Sequence, residues 1–250
     1  MALQSNRKIV IGGEFNNVGG VARGKVARLN PNGSLDTSFA NPNITGDIFN
    51  LRILSLAVQD DGKVIVGGLF AAVGGTPFPY LARLNVDGSL DPSFTPNVND
   101  AVTCIKIQPD GKILVAGFFN RIGGQNFNRL ARLNADGSVD AAFQNPNINE
   151  APGVIAVQPD GKILIGGYFS SVGGQTRNGA ARLNSDGTLD SSFAQSINGV
   201  VAAYVFQPDG KIIAAGFFRN VAEQIRTCVA RLNLDGSLDP SFQSPGIGSG

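Results

Sequence analysis

The sequence predicts an all-β protein, a β-propeller of four-stranded blades built from five repeats of about 50 residues. Three observations carry this prediction: a recurring tetrapeptide, short runs of β-branched and aromatic residues, and turn residues between those runs. The tetrapeptide Ala-Arg-Leu-Asn ends at Asn30, Asn85, Asn134, Asn184 and Asn233. A spacing of roughly 50 residues is typical of one propeller blade, so five copies indicate five blades.

The repeats fill the chain, and we therefore expect a single domain over residues 1–250 without a linker. The repeat boundaries fall at approximately 1–50, 51–100, 101–150, 151–198 and 199–250. The first repeat keeps only residues 1–4 of its first strand. The alternatives to a five-bladed ring are therefore a piece of a longer propeller and a chain that closes by assembly.

The third repeat shows the strand pattern most clearly. Its apolar runs are short, rich in β-branched or aromatic residues, and bounded by Gly, Pro, Asn and Asp, which is typical of strands. Strands A, B, C and D are predicted at 101–108, 112–119, 130–134 and 138–143. The A–B and C–D connections are tight, whereas the B–C connection is a long polar loop that ends at Asn128.

The tight connections fix the register of the strands. In Pro109-Asp110-Gly111, the residue types fit a type I turn followed by a left-handed glycine, which closes a three-residue hairpin loop. The same geometry at the C–D turn places Arg132 opposite Asp140. The corresponding pairs, which we interpret as structural cross-strand pairs, are Arg28 with Asp36, Arg83 with Asp91, Arg182 with Asp190 and Arg231 with Asp239.

Strands B and D differ in character. Strand B is apolar on both faces, as in residues 63–70, and this favours a central strand between neighbouring blades. Strand D is short and carries Pro92 and Pro240 in two repeats. Because proline belongs on sheet edges, we expect strand D on the outside of each blade.

These motifs together resemble the bacterial delta-sixty β-propeller repeat. The resemblance rests on Gln-Pro-Asp-Gly-Lys-Ile-Leu, Gly-Gly-x-Phe, Ala-Arg-Leu-Asn and Asp-Gly-Ser-Leu-Asp, and it covers essentially the whole chain. It implies a propeller in a secreted or bacterial cell-surface protein and supplies no catalytic residues. The chain departs from the pattern at Ser5-Asn6-Arg7, in place of Pro-Asp-Gly, and at Ala222-Glu223, in place of Gly-Gly.

Composition excludes several kinds of chemistry. The absence of histidine rules out a Ser-His-Asp triad and imidazole metal ligands, and two cysteines cannot form a four-cysteine zinc site. The formal net charge of +1 gives no general attraction to nucleic acid, and no apolar run approaches the length of a membrane span. We therefore expect no cofactor, no metal site, no nucleic-acid partner and no membrane insertion.

The B–C and D–A loops lie at one end of each blade, where variable loops on a rigid scaffold form a candidate ligand-binding face. This face is rich in asparagine, although asparagine also suits loops because it tolerates left-handed backbone. Phe78, Tyr80 and Phe127 are aromatic residues outside the repeat core positions. The candidate ligand-binding residues are Asn17, Tyr80, Asn99, Asp100, Asn126, Phe127, Asn149, Glu150, Arg177, Asn178, Asn220 and Glu223.

The sequence thus predicts a non-enzymatic binding or scaffold module, with a glycan or a protein as ligand, present as a monomer or as an oligomer that closes the ring. One alternative is a purely structural repeat array. Another is a glycoside hydrolase, which needs two carboxylates at a defined separation. The carboxylates that turns and Arg–Asp pairs leave over near the loop face are Glu14, Asp47, Asp100, Glu150 and Glu223, and they share no motif.

Overall fold

A computed structural model describes residues 1–47, 49–193 and 197–243. This described part is all-β and contains no helix. It divides into two compact units, one formed by residues 1–127 with 131–140 and the other by residues 128–130 with 141–250. No helix of the length and hydrophobicity needed to span a membrane is found in the described part.

Each repeat contributes three antiparallel strands, A, B and C, with strand B in the middle. In the first unit the three sheets are β1 (Ala2–Leu3), β2 (Ile9–Gly12) and β5 (Val26–Leu29); β7 (Arg52–Val58), β8 (Val64–Leu69) and β11 (Leu81–Leu84); and β12 (Val102–Ile107), β13 (Ile113–Gly117) and β16 (Leu130–Leu133). In the second unit they are β17 (Pro152–Val157), β18 (Ile163–Gly167) and β21 (Ala180–Leu183); and β22 (Ile197–Phe206), β23 (Ile212–Val221) and β25 (Val229–Leu232).

The fourth segment of each repeat joins its sheet through a single β-bridge, such as Leu133 with Val139. It does not continue as a longer strand, because the aspartate that follows the bridge bonds to its own chain. In the first repeat, Asp36 Oδ1 accepts a hydrogen bond from the backbone amide of Ser38 at 3.0 Å, which turns the chain away from strand C. Strand D is therefore a short edge segment, as the prolines predicted.

The long B–C loops contain small hairpins that the sequence did not predict. Four of them pair two-residue strands across a Gly-Gly turn: β3 (Asn17–Val18) with β4 (Val21–Ala22), β9 (Ala72–Val73) with β10 (Thr76–Pro77), β14 (Arg121–Ile122) with β15 (Gln125–Asn126), and β19 (Ser171–Val172) with β20 (Gln175–Thr176). The fifth extends β23 and pairs it with β24 (Gln224–Ile225). β6 (Ile44–Thr45) adds a strand to β9.

The hairpin registers follow the predicted turn geometry. Ile107 lies opposite Ile113, and Gly111 has φ of +81°, as the three-residue loop requires. Where the sequence departs from the repeat motif, the backbone keeps the same left-handed conformation. Arg7 takes the left-handed position at φ +64°, and Ala222 and Glu223 adopt φ of +48° and +63° at the turn that other repeats make with Gly-Gly.

Consecutive repeats pack through one phenylalanine and one glycine. Phe94, from the end of the second repeat, is fully buried, and a Cβ placed on Gly137 of the next C–D turn would lie 2.7 Å from its ring. In the second unit, Gly187 packs in the same way against Phe143 and the carbonyl of Gln144. Since Gly137 has φ of +97°, both its backbone conformation and the available space favour glycine there.

Candidate ligand-binding groove

One position in the repeat motif presents side chains to solvent. It is x in Gly-Gly-x-Phe, near the end of strand B. Because side chains alternate along a strand, the side chain at x faces away from the phenylalanine that follows. Its occupants in chain order are Glu14, Leu69, Phe118, Tyr168 and Phe217. Tyr168 is 79% exposed and Phe217 is 76% exposed, although the neighbouring Phe169 and Phe218 are buried. The strand register thus keeps two large aromatic side chains exposed to solvent.

In the second unit, Tyr168 and Phe217 line one cavity of about 770 Å³. Its polar lining comes from Ser170, Asn178 and Asn198, and none of its lining residues carries a charge. We call this cavity together with its neighbour, described below, the aromatic groove. The combination of apolar rings with a few amide and hydroxyl groups is typical of small-molecule binding sites.

A close backbone approach shapes the floor of the groove. Gly179 has φ of +70°, and a Cβ placed on it would collide with the carbonyl oxygen of Gly199. The same repeat position elsewhere carries Lys25, Tyr80, Arg129 and Cys228, all with φ between +64° and +72°. Glycine at position 179 therefore lets the chain around Gly199 come close and removes the side chain that would fill this part of the groove.

The neighbouring cavity has a volume of about 430 Å³ and shares Asn198, Gly199 and Phe217 with the first. It adds Arg219, Thr227 and Cys228 to the lining. The pairing of β22 with β23 explains this arrangement. Asn198 lies opposite Asn220 and Gly199 opposite Phe218, and the register shift between these pairs leaves Arg219 as the extra residue of a bulge.

Asparagines at one D–A loop position hold two loops together in two other repeats. Asn99 Oδ1 accepts hydrogen bonds from the backbone amides of Asn120 and Arg121, at 3.2 and 3.0 Å. Asn149 Oδ1 accepts equivalent bonds, at 3.0 and 2.9 Å, from the amides of Ser170 and Ser171. Asn198 occupies this position next to the fifth repeat, but there the strands themselves pair and its side chain lines the groove.

The predicted Arg–Asp pairs lie at the hairpin end, and each aspartate also binds the turn lysine of its repeat. Across the five repeats, Arg Nε donates to Asp Oδ2 at 2.6 to 2.8 Å, and Lys Nζ donates to the same oxygen at 2.5 to 2.9 Å. The five lysines are Lys8, Lys63, Lys112, Lys162 and Lys211. The regular spacing of these lysines is visible in the sequence, but the sequence does not show that each lysine shares its aspartate with an arginine.

Further contacts complete these Lys–Asp–Arg clusters. Ser192 Oγ donates to Asp190 Oδ1 at 2.6 Å, and the Arg182 guanidinium lies 5.0 Å from the centroid of the Phe193 ring. Burial alone would raise the pKa of the Asp190 carboxyl. The hydrogen bonds from Lys162, Ser192 and Arg182 outweigh burial and hold that pKa well below its usual range.

The arginines also connect each cluster to the C–D turn of the following repeat. Arg28 Nη1 donates to the carbonyl oxygen of Val86 at 2.6 Å, and Arg182 Nη1 donates to that of Leu234 at 2.7 Å. Because these ion clusters join neighbouring repeats through hydrogen bonds, we interpret their ten Arg and Asp residues as structural.

The other predicted ligand residues are spread over the described chain, and among them only Asn178 lines the groove. Asn17 and Asn126 lie exposed on hairpin strands, Asp100 and Glu150 are exposed, and Glu223 is exposed at the Ala222-Glu223 turn. Arg177 Nη1 donates to the carbonyl of Thr176 at 2.8 Å, and Asn220 is half-buried in β23. Tyr80 is half-buried and lines a separate cavity of about 250 Å³ with Asp47 and Asn50.

One of these predictions is wrong. Phe127 is only 5% exposed, so it cannot stack on a ligand as expected. It follows the β14–β15 hairpin, and its amide donates to the Asn120 carbonyl at 3.1 Å, which folds the loop back and buries the ring. Tyr168 and Phe217 were not among the predicted residues, because only aromatic residues of the B–C loops were considered. The signal that identifies them is their place one residue before the buried phenylalanine.

The carboxylates proposed for a hydrolase do not meet in the groove. Glu14 pairs with Arg52 at 3.5 Å, and Asp47 accepts a hydrogen bond from the amide of Phe49 at 3.0 Å. Within the described ranges, no group of three or more His, Cys, Asp or Glu side chains is arranged to hold a metal ion. Cys104 and Cys228 are half-buried and form no disulfide with each other.

Comparison with protein families identifies the repeats. The model of the family described as "Domain of unknown function (DUF5122) beta-propeller" matches residues 4–39, 59–94, 108–143, 158–193 and 207–242. The chain belongs to the DUF5122 β-propeller family. The resemblance to a propeller repeat family is thereby confirmed at that level, and the predicted fold class with it. Comparison with curated proteins gives no match.

Among solved structures similar to this DUF5122 protein, one has a TM-score above 0.5 and shows the same fold. A gluconolactonase from Xanthomonas campestris is 16% identical, with 95% of this chain and 72% of that chain covered and a TM-score of 0.52. A virginiamycin B lyase from Staphylococcus aureus is 19% identical, with 79% and 57% covered and a TM-score of 0.43. A putative gluconolactonase is 14% identical, with 88% and 72% covered and a TM-score of 0.42.

The comparison with the Xanthomonas enzyme corrects one prediction. We expected that the protein is not an enzyme, in part because the repeat family supplies no catalytic residues. That prediction is wrong, because a gluconolactonase has the fold of this DUF5122 protein. A fold that carries catalysis in one protein gives no ground for excluding catalysis in another.

Proposed function

We propose that this DUF5122 protein binds a carbohydrate in the aromatic groove. The observation that carries the proposal is the exposure of Tyr168 and Phe217, at 79% and 76%, which both line one cavity with uncharged polar groups beside them. Exposed aromatic residues that share one concave site are typical of interaction surfaces.

The rings supply the apolar part of such a site. A sugar ring has faces of C–H groups that pack against an aromatic face, while its hydroxyl groups remain at the edges. Covering the exposed faces of two aromatic rings removes apolar surface from water, which stabilises a complex by about 25 cal/mol for each Å² covered. Tyr168 directly follows strand β18 and Phe217 lies within strand β23, so both rings are attached to backbone that is ordered before binding.

The polar groups of the groove would orient a bound saccharide through hydrogen bonds. Asn178 and Asn198 each offer an amide with both donors and an acceptor, and Ser170 offers a hydroxyl group. Hydroxyl groups of a saccharide need both donors and acceptors, and an uncharged amide supplies them without the cost of removing an ion from water. The lining therefore suits a neutral sugar better than an apolar ligand.

Isothermal titration with cellotetraose, maltotetraose, xylotetraose, mannotetraose and chitotetraose tests the proposal. We expect one or more of them to bind, and we expect Phe217→Ala to weaken binding by about ten-fold or more because a central ring is lost. Phe118→Ala is the matched control: it removes a partly exposed phenylalanine at the same repeat position that does not line the groove. Because an enzyme has this fold, the same mixtures are analysed for cleavage products and for opening of gluconolactone.

The result that contradicts the proposal is the absence of binding to all five tetrasaccharides and to acidic oligosaccharides at millimolar concentration. Equal losses in Phe217→Ala and Phe118→Ala would also contradict it, since they would show that the groove is not the binding site. Product formation would add catalysis to binding and would direct attention to Glu14, Asp100 and Glu150.

A further inference from the structure

The two cavities of the aromatic groove differ in charge. The cavity around Tyr168 has an uncharged lining, whereas the neighbouring cavity, which shares Phe217, is also lined by Arg219. Among the residues that the structure describes, no acidic residue lines either cavity. A saccharide that occupies both cavities would therefore meet a neutral region in one and a positively charged side chain in the other.

Arg219 differs from the other arginines of the long loops in the second unit. Arg177 donates through its guanidinium to the carbonyl of Thr176, and Arg226 donates to the carbonyl of Ile225 and to Gln224 Oε1. Over the described ranges, neither an ion pair nor a side-chain hydrogen bond is found for Arg219. Its backbone carbonyl accepts from the amide of Arg226 at 2.8 Å, which fixes the bulge that carries the side chain.

The repeat explains why this charge is present only here. The position after the buried phenylalanine carries Asn16, Ala71, Asn120 and Ser170 in the other repeats, all of them uncharged. In the third and fourth repeats, an asparagine of the D–A loop accepts a hydrogen bond from the backbone amide at this position. In the fifth repeat β22 and β23 pair directly, and the bulge between them places Arg219 against the cavity.

We propose that the groove selects an acidic saccharide, a uronic-acid oligomer, whose carboxylate binds Arg219 while its ring packs on Phe217. A planar guanidinium matches a carboxylate with two parallel hydrogen bonds, and charge-assisted bonds of this kind are about twice as strong as neutral ones. Thr227 and Asn198, which line the same cavity, supply a hydroxyl and an amide beside the charge. This inference rests on the proposed carbohydrate site and narrows its ligand class.

The test compares the neutral tetrasaccharides of six-carbon sugars, which excludes xylotetraose because xylose has no C6, with their counterparts oxidised to the carboxylate at C6. For the full chain at 25 mM NaCl, we expect at least one oxidised form to bind about ten-fold more tightly than its neutral parent, which corresponds to about 1.4 kcal/mol. Arg219→Gln is expected to bring this ratio close to one. Arg226→Gln is the matched control, because it removes a nearby arginine that does not line the groove, and it should leave the ratio at the wild-type value.

Each outcome decides between the two proposals. A ratio near one in the wild type, or a ratio that survives Arg219→Gln, overturns the acidic-ligand inference and leaves the carbohydrate site in place. Absence of binding for both the neutral and the oxidised series overturns both. A preference for the oxidised forms that falls as NaCl is raised to 500 mM, and that is lost in Arg219→Gln alone, supports the inference.

Discussion

The hairpin end and the groove end of the second unit use polar residues in opposite ways. At the hairpin end, Asp190 is enclosed by Lys162, Arg182 and Ser192, and the same arrangement recurs with little change from repeat to repeat. At the groove end, the repeat position that carries Tyr168 and Phe217 has a different occupant in nearly every repeat, and both rings are exposed. Residues that recur in every repeat thus stabilise the fold, whereas positions where the side chain varies on an unchanged backbone are available for ligand binding.

The largest effect we expect comes from breaking one cluster at the hairpin end. Asp190→Asn removes the carboxylate and leaves the buried Arg182 and the partly exposed Lys162 without their counter-charge, so the free energy of unfolding should fall by about 3 kcal/mol. Urea unfolding followed by far-UV circular dichroism measures the change. The control Asp160→Asn removes a charge from an exposed turn and keeps the hydrogen bond to the Lys162 amide, and it should cost little. Similar losses in both variants would contradict the prediction.

The same variant should also alter the dependence of stability on pH. Because the folded-state pKa of Asp190 is held below its usual range, its contribution is fully present above the unfolded value of about 4. It declines as pH falls below that value, because the unfolded chain then binds the proton more readily. Wild-type stability should therefore decrease between about pH 5 and pH 2, and the decrease should be shallower in Asp190→Asn.

An intermediate effect is expected where repeats pack against each other. Gly187→Ala places a methyl group against Phe143 and the Gln144 carbonyl, and it should cost about 2 to 4 kcal/mol from crowding and backbone strain together. Gly33→Ala has a similar φ, +85° against +91°, and no described atom lies within 4 Å of its added Cβ. It should cost about 1 kcal/mol in urea unfolding, from strain alone. Equal costs would show that the packing between repeats contributes nothing at this point.

The smallest effect compares two asparagines at one repeat position. Asn99→Ala removes three hydrogen bonds that join loops outside the groove and should lower the free energy of unfolding by about 1 kcal/mol without changing saccharide binding. Asn198→Ala should leave unfolding nearly unchanged and weaken binding several-fold, because Asn198 lines the groove. Urea unfolding and titration on both variants provide the measurement. An Asn99→Ala protein that loses affinity would contradict the prediction that, of these two asparagines, only Asn198 takes part in binding.

The strand pairings that depend on the residue types of the tight turns could be predicted from the sequence. The pairing of Ile107 with Ile113 follows from Pro109-Asp110-Gly111, and the bridge of Leu133 with Val139 follows from the C–D turn. The B–C hairpins were not predicted, because their strands are only two residues long and polar, too short to show an alternation.

The groove depends on relations that one repeat motif cannot reveal. Exposure of Tyr168 follows from its position before Phe169, but its meeting with Phe217 requires the longer pairing of β22 with β23. The role of Gly179 requires the approach of Gly199, which is remote in sequence and visible only in three dimensions. Phe127 was assigned to the surface because its loop is polar, and the fold of that loop buries it.

The left-handed position that Gly179 occupies has a wider consequence. Tyr80, Gly179 and Cys228 all donate their amides to the carbonyl of the repeat phenylalanine, at 3.1, 3.0 and 2.9 Å, whatever side chain they carry. The backbone there is set by its neighbours, at a strain of about 1 kcal/mol for a residue other than glycine. Exchange of this residue therefore changes the chemistry of the surface and leaves the blade backbone in place, except at position 179, where the Gly199 carbonyl leaves no room for a Cβ. The side chain at this position can thus vary from repeat to repeat while the fold stays the same.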